Sequence, residues 1–194
     1  IAIQRLTEGW VFENPRSGYP FGSSLLDYPA SDSGNYLILK FLGAITSHWH
    51  SVFNIYFLLG FAVTFVASFC VLRTIGLSIP FAITAATLFN FLPFHFARID
   101  HTFFTWYFVV PMFYYVALRI FHPDSLKVIS NSSLQEKLFY SACLIALGSF
   151  GVYYAIFGLI VLSVIVISSL IGNRHPNSLK TSFIAACLVV LGVL

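Results

Sequence analysis

Apolar residues fall in long blocks rather than in strand-like alternation. Val52–Leu72 has roughly the twenty apolar residues that a bilayer core requires, so it is the first expected span. Arg73 and a tight turn around Gly76 follow, and Leu77–Phe94 is the second span, entered through Pro80. Phe103–Ile120 is the third, with Pro111 inside it predicting a kink. Leu138–Ile171 is too long for one ordinary span and short for two. The small residues Gly148, Ser149 and Gly151 predict its break: a short helix to about Leu147, then a full span from about Val152. Ser133 and Glu136 have capping-box spacing before that block. Ser182–Leu194 starts another span. Tyr36–Ile45 is apolar but too short to cross a membrane. With Lys40 inside it and Trp49 after it, the pattern predicts a helix lying on the membrane surface.

The pattern divides the chain into an outer region, residues 1–50, and a transmembrane helical region, residues 51–194. The outer region is polar, loop-like and broken by Pro15, Gly18, Pro20, Gly22 and Pro29 before the surface helix. The chain starts at Ile1 and stops within an apolar run at Leu194. It therefore reads as an internal piece of a longer protein, with a membrane helix expected before Ile1 and more after Leu194.

Composition sharpens the class. Of 194 residues, 58% are hydrophobic and 9% charged, with a mean hydropathy of +0.86. Soluble domains run at about 45–50% apolar and about 25% charged. The expected fold is all-α, a polytopic transmembrane helical bundle. A formal charge of +3 with no basic stripe is too small to suggest nucleic acid, and none is expected as a partner. Cys70, Cys143 and Cys187 all lie inside apolar runs and read as small apolar residues. No Walker loop, dinucleotide fingerprint, HExxH or CxxC motif is present.

Charge placement sets an expected orientation. One set of loops holds Arg73, Arg119, Lys127, Lys137, Arg174 and Lys180 against only Asp124 and Glu136. The other holds Arg5, Arg16, Lys40 and Arg98 against Glu8, Glu13, Asp27, Asp32 and Asp100. By the positive-inside rule the first set is cytosolic. The leader segment and the Phe91–His101 corner, FLPFHFARIDH, then share the outer face.

That corner gathers His95, Arg98, Asp100 and His101 within seven positions of a chain otherwise poor in charge. Ionisable groups near lipid are costly, so such a cluster is a functional-site candidate. The same residues also fit a short interfacial loop in which Arg98 pairs with Asp100. Asp27, Asp32, His48 and His50 are expected on the same face. Carboxylates and imidazoles there offer a general base or a cation site, and Arg98 offers a phosphate fork. Asp27 and Asp32, among Ser, Gly and Pro, also fit turn formation. Gly148 and Gly151 with Tyr153 and Tyr154 fit either a cavity lining or close helix packing.

The order of parts resembles the front half of the GT-C class of integral-membrane glycosyltransferases. The resemblance is carried by GYPFGSSLLDYPASD (Gly18–Asp32), NIYFLLGF (Asn54–Phe61), LRTIGLS (Leu72–Ser78), FLPFHFARIDH and GVYYAIFG (Gly151–Gly158), which look like bacterial members. It implies a cell-envelope transferase in the bacterial inner membrane with an outward-facing site. The donor would be a sugar on a polyprenyl phosphate, and the acceptor a lipid, glycan or protein. Asp27 or Asp32 would be the catalytic acid of the first loop. Arg98 and His101 would bind the donor phosphate, and Asp100 would ligate a divalent cation, Mg or Mn. The paired Asp-Glu common early in that loop is absent, and the second loop is short.

Two other classes compete. A transporter or lipid flippase would use outer acids and histidines in an ion path, but its polar groups belong at mid-membrane depth, often with repeats. These spans are nearly free of charge and show no repeat. A non-catalytic membrane subunit is the third class.

Overall fold

The computed structural model describes residues 13–14, 20, 23–24, 32–121, 133–172 and 176–193. Two short strands, β1 (Glu13–Asn14) and β2 (Ser23–Ser24), form an antiparallel pair with Glu13 opposite Ser24. Among the described residues the other regular elements are helices: α1 (Ser33–Ile45), α2 (Trp49–Thr74), α3 (Ile79–Asn90), α4 (Pro93–Ala97), a 3₁₀ segment η1 (Ile99–Thr105), α5 (Val109–Phe121), α6 (Leu134–Gly148), α7 (Val152–Ile171) and α8 (Pro176–Val193). The segments Trp49–Thr74, Ile79–Ala97 and Ile99–Phe121 are long and apolar enough to cross a membrane. Val152–Ser168 and Leu179–Val193 are shorter apolar stretches.

Apolar side chains cover the outside of the helices, from Phe41 on α1 and Phe81 on α3 to Phe157 on α7. Lipid tails give no hydrophobic drive for helices to associate, so close backbone approach and interhelical hydrogen bonds must hold the bundle. The inward stripe of α2 is accordingly small: Gly60, Thr64, Ala67 and Ser68 are buried, and α3 meets α2 through Ala82 and Ala86. The crossing of α6 and α8 is tighter. A methyl group on Gly148 would strike the Val189 carbonyl, and one on Gly192 would strike the Ile145 carbonyl.

Local signals set most boundaries. Gly76 turns the chain from α2 into α3 with φ +98, a region that side chains with a Cβ avoid. Ser133 accepts from the Glu136 N–H, and Glu136 Oε2 accepts from the Ser133 N–H at 2.7 Å, completing the capping box at the start of α6. The long block breaks as expected, after Gly148, and α7 starts at Val152.

Two expected spans are less regular than the hydropathy implies. The second is interrupted after Asn90 and resumes at Pro93. Pro93 has no N–H for the Phe89 carbonyl. The Tyr107 hydroxyl covers the loss, lying 3.1 Å from Phe89 O and 2.8 Å from Asn90 O. The third span starts as two short 3₁₀ turns over Ile99–Thr105, parted by a kink at the non-helical His101, and becomes α-helical only at Val109. Pro111 therefore falls in the first turn of α5, where N–H groups lack intrahelical partners anyway, and it produces no mid-helix kink.

Trp106, between η1 and α5, joins the two larger apolar clusters. It stacks on Tyr56 at 4.8 Å and lies parallel to Phe150 at 5.9 Å. Gly60 opens the space for its indole. Phe150 touches both the α1–α2 cluster around Leu39 and the cluster of Tyr107, Phe113 and Tyr154.

Candidate functional site

Asp32 immediately precedes α1 and is half-buried. Its position is fixed by contacts from both sides in sequence. The Gly34 N–H donates to Ser149 O at 2.9 Å, tying the first turn of α1 to the loop between α6 and α7. Gly151 holds φ +113 at the start of α7, and a Cβ there would sit 3.4 Å from Asp32 Oδ1. The carboxylate thus faces the opening of α7.

Behind Asp32 runs a short polar chain. Asn35, fully buried, donates from Nδ2 to Asp32 Oδ1 at 3.4 Å. The buried Tyr56 hydroxyl donates to Asn35 Oδ1 at 2.7 Å. Trp106 Nε1 donates to the Tyr56 carbonyl at 3.2 Å, fixing that turn of α2. Burial pushes the Asp32 carboxyl above its usual range, and the Asn35 hydrogen bond opposes part of that rise. Tyr36 is pushed up to about 12, first by burial and then by the Asp32 charge.

The same end of the bundle carries the Arg98 corner. Tyr36 meets Phe103 of η1 edge-on at 5.1 Å. Tyr154, in the first turn of α7, donates its hydroxyl to Phe104 O at 2.5 Å. The Arg98 guanidinium stands over Phe94 at 5.4 Å and Phe104 at 6.0 Å, an arrangement that holds a cation on aromatic faces while leaving its donors outward. It is also within electrostatic reach of the Tyr154 hydroxyl.

The structure divides the expected residues. Asp32 and Arg98 are brought to one end, bridged by Tyr36–Phe103 and Tyr154–Phe104 contacts. Asp27 lies outside the described residues. Asp100 and His101 are exposed, and His101 leans towards Phe104 at 5.8 Å. Among the described residues no group of three His, Cys, Asp or Glu side chains could hold a metal ion. Nor does Arg98 form an ion pair among the described residues, so the interfacial pairing with Asp100 is not how it is held. His48 and His50 are exposed, with the His50 ring stacked on Trp49 at 3.4 Å.

His95 leaves the cluster altogether. It is fully buried, stacked on Phe61 at 3.5 Å, with Nδ1 3.4 Å from the Tyr107 hydroxyl. Because that hydroxyl points its proton at backbone carbonyls, Nδ1 must be the donor, and Nε2 is left a buried lone pair without a partner. Gly148 serves close packing against α8, and Gly151 adjoins Asp32.

Sequence reasoning missed Asn35, Tyr56 and Tyr107. The available signal for Asn35 was an amide three positions after Asp32, on the same face of a helix. For Tyr56 it was a phenol one turn inside an apolar span, which must find a partner when buried. No family model matches this chain, and no curated protein or solved structure matches it.

Proposed function

We propose that this membrane-embedded helical protein is a glycosyltransferase of the GT-C kind, moving a sugar from a polyprenyl-phosphate donor to a lipid, glycan or protein acceptor at the non-cytosolic face of a bacterial inner membrane. The observation that supports this most is that Asp32, beside the start of α7, and Arg98, over Phe104 of η1, lie at one end of the bundle, where the Tyr154 hydroxyl links α7 to η1. Asp32 takes the proton of the acceptor hydroxyl. The freed oxygen bonds to the sugar's anomeric carbon as the bond from that carbon to the phosphate oxygen breaks. Arg98 receives the departing phosphate on its outward donors. Asp27 and His101 remain candidates for the same two tasks. A cation held through Asp100 belongs to the family resemblance, and no step is routed through it.

The test is radiolabelled sugar transfer in proteoliposomes made from the full-length protein and a polyprenyl-phosphate sugar. Asp32→Asn should stop transfer and Arg98→Ala should raise the donor KM, each with unchanged size-exclusion profiles. Full activity in both variants would sink the assignment.

A second reading, transport, draws on a different observation. The span Ile79–Ala97 is broken at Phe91–Leu92 beside the buried His95, and interrupted helices are a transporter trait. Accumulation of labelled substrate in the vesicles without covalent transfer would favour it.

A further inference from the structure

We infer that Asn35 and Tyr56 are positioning residues that hold Asp32 in its ionised, proton-accepting form. The direction of the amide is read from geometry; its catalytic meaning rests on the proposed function.

An amide can face a carboxyl group in two ways, and each suits one protonation state. With Nδ2 towards Asp32, the amide donates and stabilises the carboxylate. With Oδ1 towards Asp32, it can only accept, and then the carboxyl must carry the proton. Tyr56 selects between them. Its hydroxyl donates to Asn35 Oδ1 at 2.7 Å, which turns Nδ2 to Asp32 Oδ1. The reverse orientation would leave the buried Tyr56 proton without this acceptor. Tyr56 is itself held by the Trp106 stack and by the Trp106 hydrogen bond to its carbonyl. The direction of the amide is therefore set from the bundle interior.

The groups around Asp32 leave this task to the amide. Among the described residues, Tyr36 on α1, Tyr56 on α2 and Tyr154 on α7 are titratable side chains on the elements packed around it, and none of them is a cation. Arg98 acts on Tyr154 from η1's side, and among the described residues it forms no ion pair with Asp32. Burial favours the protonated acid. A half-buried general base needs an opposing donor, and Asn35 supplies one.

The experiment is an infrared pH titration of the full-length protein in nanodiscs, with the Asp32 carboxyl band identified by its loss in Asp32→Asn. Tyr56→Phe and Asn35→Ser should each move the protonation midpoint upward by about half a unit to one unit of pH. Tyr107→Phe, which deletes a different buried hydroxyl, should leave it in place. An unmoved midpoint in folded Tyr56→Phe or Asn35→Ser overturns the inference, as does an equal shift in Tyr107→Phe. Loss of the catalytic role would appear separately, as sugar transfer persisting in Asp32→Asn.

Discussion

Two polar clusters sit in this apolar bundle, and they are built for opposite ends. At the start of α1, Asp32, Asn35 and Tyr56 form a directed chain that runs from the interior to a half-buried carboxylate. At the break between α3 and α4, Tyr107, His95 and Asn90 form a closed knot. The Tyr107 hydroxyl takes the Phe89 carbonyl that Pro93 orphaned together with the Asn90 carbonyl, while His95 Nε2 and Asn90 Oδ1 stay buried without partners. The first cluster spends its hydrogen bonds on aiming one reactive group. The second spends them on letting a membrane helix bend where lipid offers no replacement partner. A polar residue within a span is thus not a functional residue by default; what decides is whether its chain of partners ends at an accessible group.

The contrast can be broken in four ways. The largest expected effect is on activity. Asp32→Asn should lower sugar transfer by on the order of 10²–10⁴-fold, the usual contribution of a general base. Tyr107→Phe should leave turnover per folded molecule within about threefold, as that phenol faces backbone and not a substrate. Parallel initial-rate assays decide it, and equal losses would erase the distinction.

Next comes stability. Tyr107→Phe uncovers the Phe89 and Asn90 carbonyls and should cost about 1–3 kcal/mol, measured by reversible denaturation in detergent. The cost should exceed that of Asp32→Asn at pH 7.

The third test is pH. The folded-state pKa of Asp32 lies above its unfolded value of 3.8, so the folded protein binds this proton more tightly. Stability from this group is full below 3.8 and is lost as pH rises through the folded value. Asp32→Asn should remove that part of the slope in melting temperature between pH 3 and pH 7. At pH 7 the variant should be at least as stable as the parent. A carboxylate that stabilised the fold would give the opposite sign.

The smallest effect is expected at His95. Replacing it with Leu removes an orphaned nitrogen along with a long contact to Tyr107, and the two changes offset. A shift of at most about 1 kcal/mol should appear in the same denaturation assay. A large loss would mean that Nε2 has a partner in the membrane.

Much of the helical framework was legible because its causes are local. Gly76, Pro80, the Ser133–Glu136 box and the Gly148–Gly151 break each act within a few residues, and each appears where the pattern put it. Pro111 misled because its meaning depends on where the helix starts. The kinked 3₁₀ stretch Ile99–Thr105 moved that start to Val109. The ARIDH corner was legible as a cluster but not as a geometry. One turn of α4 sent His95 inward, and η1 kept Asp100 and His101 outward.

By itself the sequence determined the solvent this chain is built for and the places where its helices stop, since apolar run length and turn chemistry are properties of neighbouring residues. Only the tertiary structure decided which polar side chains have partners. Tyr56 and Asn35 are 21 positions apart, and Trp106 reaches Tyr56 across 50. Hydrogen bonds over such separations depend on how helices cross, and crossing depends on which small residues let two backbones approach.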